Sequence, residues 1–153
     1  MKQRGSWMTL FFALLAPALA PALPEKAATA AQPVAGAAIA PLPFDHILRY
    51  DELTALLHSW AAARPELVEV ESLGRTPEGR EIWFLTLTAR ATGAADAKPA
   101  IVIDGNMHAT EWGGGVAALH FVHRLLAGFG TDERVTRLLE SRTVYVLPRL
   151  TPD

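Results

Sequence analysis

A histidine and a glutamate three residues apart, His108 and Glu111 in "GNMHATEW" (residues 105–112), are the pair whose types and spacing suit chemistry. Imidazole nitrogen and carboxylate oxygen both ligate zinc, and one neutral histidine with one carboxylate leaves most of the ion's charge unquenched. Zinc held in this way stays a strong Lewis acid, able to polarise a carbonyl and to lower the pKa of a bound water toward about 7. Gly105 before the pair and Gly113, Gly114 and Gly115 after it carry no side chains, which leaves room for a substrate to approach the backbone. A phosphate loop does not fit, because no lysine and hydroxyl residue follow the glycines. Spacing alone is a weak signal, since a loop histidine beside a glutamate is usually a solvated pair.

The elements around the pair have to aim both side chains at one point. In "YDELTALLHSWAAARPE", Leu53, Leu56, Leu57 and Trp60 recur at helical spacing until Pro65 stops the helix. "LVEVESLG" alternates as a short strand, "RTPEGR" is a turn, and "EIWFLTLT" is a second, more apolar strand, so the two can form a hairpin. After the loop "ARATGAADAKP", the run "AIVIDGN" reads as a third, buried strand. A helix is expected from Val116 to Leu126, with Ala118, Phe121, Val122, Leu125 and Phe129 on its apolar side. Thr131 should cap another, with Val135, Leu138 and Leu139 inward, before a fourth strand, "RTVYVLPRL". That order predicts an α/β fold, a mixed β-sheet flanked by helices. His108 then follows a strand at its C-terminal end and Glu111 opens the next helix, where open α/β sheets place their ligands.

Composition narrows the setting. The chain has 153 residues, half of them apolar, with 14 basic and 16 acidic side chains and no cysteine. A thiolate site, a disulfide framework and a cysteine nucleophile are thereby excluded, and the near-neutral charge offers no nucleic-acid footprint. Lys2 and Arg4, an apolar run from Trp7 to about Leu15 and then small residues make the layout of a signal peptide over residues 1–30, cleaved near Ala20 or Ala30. The apolar run is shorter than the roughly 20 residues a spanning helix needs, so export to a secreted or periplasmic location is expected, with no lasting membrane association. Residues 31–44, rich in Ala and Pro, read as a spacer, and residues 45–153 as the folded part.

"GNMHATEW" resembles the first zinc-binding motif of the carboxypeptidase A-like zinc metallocarboxypeptidases. "SLGRTPEGREI" is similar to the strand and turn before that motif, and "RYDEL" and "LPRLTPD" fall in the family's order. The resemblance runs from about Tyr50 to Asp153 and implies that His108 and Glu111 are the first two ligands of Zn2+, in an enzyme that hydrolyses the C-terminal bond of peptides or proteins. In that family a third histidine ligand, the arginines that hold the substrate carboxylate and the general-base glutamate come further downstream. The chain is therefore expected to represent the N-terminal portion of the catalytic domain. Where the family has Asn-Pro-Asp-Gly, this chain has Thr151-Pro152-Asp153; position 151 is not a ligand.

Other candidates are weaker. His120 and His123 lie roughly 14 and 18 Å of helical rise beyond Glu111, too far to share its ion. His46 and His58 have no motif context, Arg149 is expected to be structural inside the last strand, and Asp104 to cap backbone more readily than to orient His108. A deacylase of the same fold acting on small N-acyl amino acids, and a non-catalytic binding module, are the alternative functions.

Overall fold

The computed structural model describes residues 38–43 and 45–153; the expected signal peptide lies outside them, as do residues 31–37 and Phe44 of the expected spacer. In chain order the elements are α1 (Tyr50–Ala63), β1 (Val68–Arg75), β2 (Glu81–Leu87), β3 (Ala100–Asp104), α2 (Trp112–Gly128), α3 (Glu133–Ser141) and β4 (Thr143–Leu147). Single 3-10 turns at Arg90–Thr92 and Ala95–Ala97 break the loop between β2 and β3. The strands make one sheet in the order β1-β2-β4-β3. β1 and β2 form the expected antiparallel hairpin, β2 pairs antiparallel with β4, and β3 runs parallel to β4. Parallel partners need a crossover, and α2 with α3 supplies it. This is the mixed α/β sheet flanked by helices that the pattern of elements predicts.

Helix α1 buries Leu53, Leu57 and Trp60, one face of a 3.6-residue repeat. Covering each such side chain is worth about 1.5–3 kcal/mol. The Trp60 indole N–H donates to the Ala40 carbonyl at 2.8 Å, and Leu42 is buried, so the end of the Ala/Pro-rich stretch packs on α1. Arg64, just past the helix and before Pro65, is buried; it donates to the Leu126 carbonyl at 2.6 Å and to Glu66 at 2.7 Å. A buried guanidinium is tolerated only when paired and hydrogen-bonded, and here it ties α1 to the end of α2.

Three expectations are corrected. Helix α2 begins at Trp112, not Val116, so the glycine triplet lies in its first turn. Glycine costs helix stability, and tertiary contact overrides that cost here, as the site geometry shows. Asp132, not Thr131, caps α3, accepting from the Arg134 and Val135 amides at 2.9 and 3.3 Å, while Thr131 Oγ1 donates back to the Gly128 carbonyl. Strand β3 is not buried: Ala100, Ile101, Val102 and Asp104 are exposed. Its apolar run matches a core strand, but β4 takes the inner place, with Val144 and Val146 covered, and β3 becomes the edge.

Candidate metal centre

The site forms where β3 ends. The Gly105 amide donates to the Leu147 carbonyl at 2.8 Å, and the Leu150 amide to the Gly105 carbonyl at 3.0 Å, so the ladder with β4 continues one step past both strands. The chain then turns at Asn106, whose φ of 55° is left-handed. The His108 carbonyl accepts two bonds, from Asn106 Nδ2 at 2.8 Å and from the Glu111 amide at 2.9 Å. That closed turn brings both predicted ligands to the same side: His108 Nδ1 and Glu111 Oε1 are 3.1 Å apart. Glu111 is the N-cap residue of α2, yet its carboxylate makes no cap bond. It stands at the positive end of the helix, where a negative charge is favoured, with Oε1 beside His108 Nδ1 and the side chain mostly exposed.

The donor set can be tested against zinc. Two donors each about 2.0–2.2 Å from a tetrahedral ion are about 3.3–3.6 Å apart, and the observed 3.1 Å needs only a few tenths of an ångström of opening. The spacing is thus compatible with two corners of a tetrahedral site. Among the described residues no group of three His, Cys, Asp or Glu side chains could hold a metal ion.

The glycines serve packing more than substrate access. A Cβ on Gly105 would stand 2.8 Å from Gly115 Cα and 2.9 Å from the Gly114 carbonyl group, and one on Gly115 would stand 2.8 Å from the Pro148 oxygen. The first turn of α2 therefore abuts the backbone of both strand ends, which only glycine allows. Gly113 meets nothing within 4 Å and alone keeps the open space expected of all four.

The remaining candidates fall away from the pair. Arg149 lies just past β4, not inside it; its Nη2 donates to the Leu48 carbonyl at 2.7 Å, and its guanidinium sits 5.1 Å from the Trp112 ring centroid. Burial holds its pKa below the ordinary arginine value. It has the structural role expected. His123 packs 6.0 Å from the Trp60 ring on the far part of α2, and burial, then the charge of His120, lowers its pKa. His58 meets the Trp83 ring edge-on, and His46 pairs with Asp45 at 2.8 Å. The Asp104 side chain has no hydrogen bond to a described residue, so it neither caps backbone nor orients His108.

Asn106 and Thr151 were not singled out from the sequence as part of the site. Thr151 Oγ1 donates to the Asn106 carbonyl at 2.7 Å and to the Met107 carbonyl at 3.1 Å, so the segment after β4 braces the turn. Two residues on, Asp153 accepts from Thr76 Oγ1 at 2.6 Å, Arg80 Nη1 at 2.8 Å and the Glu78 amide at 3.2 Å. Burial would raise its pKa, but those donors more than offset it and hold the carboxyl below its ordinary value. Asparagine straight after a strand-end glycine is the one local signal, since it tolerates the left-handed region better than most residues.

Residues 53–153 match the zinc carboxypeptidase family, and the chain belongs to it. It is 38% identical over 104 residues to a carboxypeptidase B of Astacus astacus, covering 68% of this chain and 32% of that protein. To human carboxypeptidase D it is 34% identical over 131 residues, covering 72% of this chain and 10% of that protein. Among solved structures, carboxypeptidase A from Helicoverpa armigera superposes with a TM-score of 0.63 at 29% identity, over 73% of this chain and 26% of that one. The chain thus spans about a third or less of the length of these relatives.

Proposed function

We propose that the protein is a zinc-dependent metallocarboxypeptidase that removes C-terminal residues from peptides or proteins, with His108 and Glu111 as two ligands of its Zn2+. The observation that carries this reading is the closed turn at the end of β3, which sets an imidazole nitrogen and a carboxylate oxygen 3.1 Å apart in a chain of this family. Bound zinc would supply Lewis-acid polarisation of the scissile carbonyl. The work of these residues is to hold it: His108 as a neutral nitrogen donor, and Glu111 as an anionic donor at a helix N-terminus. Residues 1–30 are read as a cleaved export signal and residues 31–44 as a spacer, with a secreted or periplasmic product. No described helix is long and apolar enough to cross a membrane.

The test is metal content and amino-acid release measured together on the protein from its full reading frame. Stoichiometric zinc, with release from unblocked but not from C-terminally blocked peptides, is expected; release from both, or release that persists after the metal is removed, sinks the reading. A second reading is supported by a relative. A Saccharomyces cerevisiae protein described as an inactive metallocarboxypeptidase is 36% identical over 89 residues, so a binding module of this fold is the outcome if zinc is held and no peptide is cut.

A further inference from the structure

Asn106 is only 3% exposed, lies in a left-handed conformation, and keeps its Oδ1 buried with no partner. Asparagine tolerates the left-handed region better than most residues, but burying an amide oxygen with no partner is unfavourable. The orientation follows from chemistry: the His108 carbonyl can only accept, so the atom 2.8 Å from it is Nδ2, and Oδ1 faces the interior. Glycine would suit the backbone and an apolar residue the burial, but neither donates to His108. The main chain of the same residue is held from the other side by Thr151, through Oγ1 at 2.7 Å and the amide at 3.3 Å.

We propose that Asn106 is a positioning residue for the His108 and Glu111 pair. Its Nδ2 fixes the His108 carbonyl so that the Glu111 amide closes on the same oxygen, and that double grip aims both side chains to one side. The inference rests on reading the pair as metal ligands. It adds that the geometry of the pair is set by a residue that binds no metal and by the segment after β4 that braces it.

Two variants of the full chain separate the parts of this role. Asn106→Gly keeps the left-handed backbone and removes the grip. Asn106→Asp keeps shape and volume and exchanges the N–H donor for an acceptor. Zinc affinity is measured by competition with a chromophoric chelator, and amide exchange at Glu111 is compared with that at Leu85 and Leu87 in β2. N106G should weaken zinc by about 10-fold or more and speed exchange at Glu111 by about 5-fold, with β2 exchange and the melting temperature unchanged. N106D should speed the Glu111 amide as much as N106G does, which a space-filling role would not produce; it also carries the comparison if N106G lowers the melting temperature. Parental exchange at Glu111 in both variants overturns the proposal, and so does parental zinc affinity in N106G. If the unsubstituted chain takes up no zinc, the metal reading fails separately, and the exchange comparison alone decides whether Asn106 orders the pair.

Discussion

His108 Nδ1 and Glu111 Oε1 face each other across 3.1 Å on side chains that are both mostly exposed. An exposed pair of this kind is worth about 0–1 kcal/mol, so stability does not account for placing it on a turn braced by the segment after β4. Replacing either with alanine should change unfolding free energy by less than about 0.5 kcal/mol and, in the protein from its full reading frame, cut bound zinc and any peptidase activity by at least about 10-fold. Thermal melts beside metal analysis check this; a variant that keeps stoichiometric zinc and normal turnover would remove the assignment.

Residues 1–153 by themselves should hold zinc loosely and release no amino acids from peptides. Catalytic zinc sites use three protein ligands, and the described residues bring only two donors together. A mild chelator should strip the ion from this chain within a titration. Hydrolysis by it above a metal-free control would show a complete site.

The four site glycines should not respond alike. Gly115→Ala puts a methyl 2.8 Å from the Pro148 oxygen and should cost about 1–3 kcal/mol, as should Gly105→Ala against the α2 backbone. Gly113→Ala meets nothing within 4 Å and should stabilise α2 by about 0.5–1 kcal/mol. Urea unfolding of the three variants decides whether the cluster is there for packing.

Acidification should weaken the fold through His123. Its pKa is held below 6.5 by burial and by His120, so the unfolded chain binds that proton more readily than the folded one. The contribution is intact above about pH 6.5 and is lost as pH falls through and below that value toward the folded pKa. His123→Gln should flatten the fall in stability between about pH 7.5 and about pH 5.5; an unchanged slope assigns the effect to other groups.

Strand β3 should drive self-association of the isolated chain. Ile101 and Val102 are 56% and 61% exposed on a strand that pairs only with β4 among the described residues, and open apolar edges template further pairing. Val102→Lys should reduce association measured by light scattering, with little change in the melting temperature.

Much of this was legible in local pattern. Leu53, Leu57 and Trp60 announced α1 by their spacing, and "RTPEGR" announced the hairpin by turn chemistry, with Gly79 at a φ of 84° as such a turn requires. Thr131 and Asp132 are both of a type that caps helices, and only the path of the chain selects Asp132 as the side chain that reaches the free amides. Helix α2 starts four residues before its expected N-terminus because glycine's poor propensity is a local property, while the need for bare backbone at Gly105 and Gly115 comes from packing against other segments.

His108 and Glu111 stand out in the sequence as candidate metal ligands because their signal, residue type and an interval of three, is contained in eight residues. The family resemblance was likewise carried by short stretches in order. What tertiary structure decided was how those stretches meet: Thr151 of "LPRLTPD" closes on Asn106 of "GNMHATEW", and Asp153 closes on the turn of "SLGRTPEGREI" through Thr76 and Arg80. It also decided that β4 slides between β2 and β3, which turns the apolar run "AIVI" into an exposed edge. Strand order and side-chain bracing depend on contacts between residues some 45 to 75 positions apart, and no periodicity within a single segment encodes them.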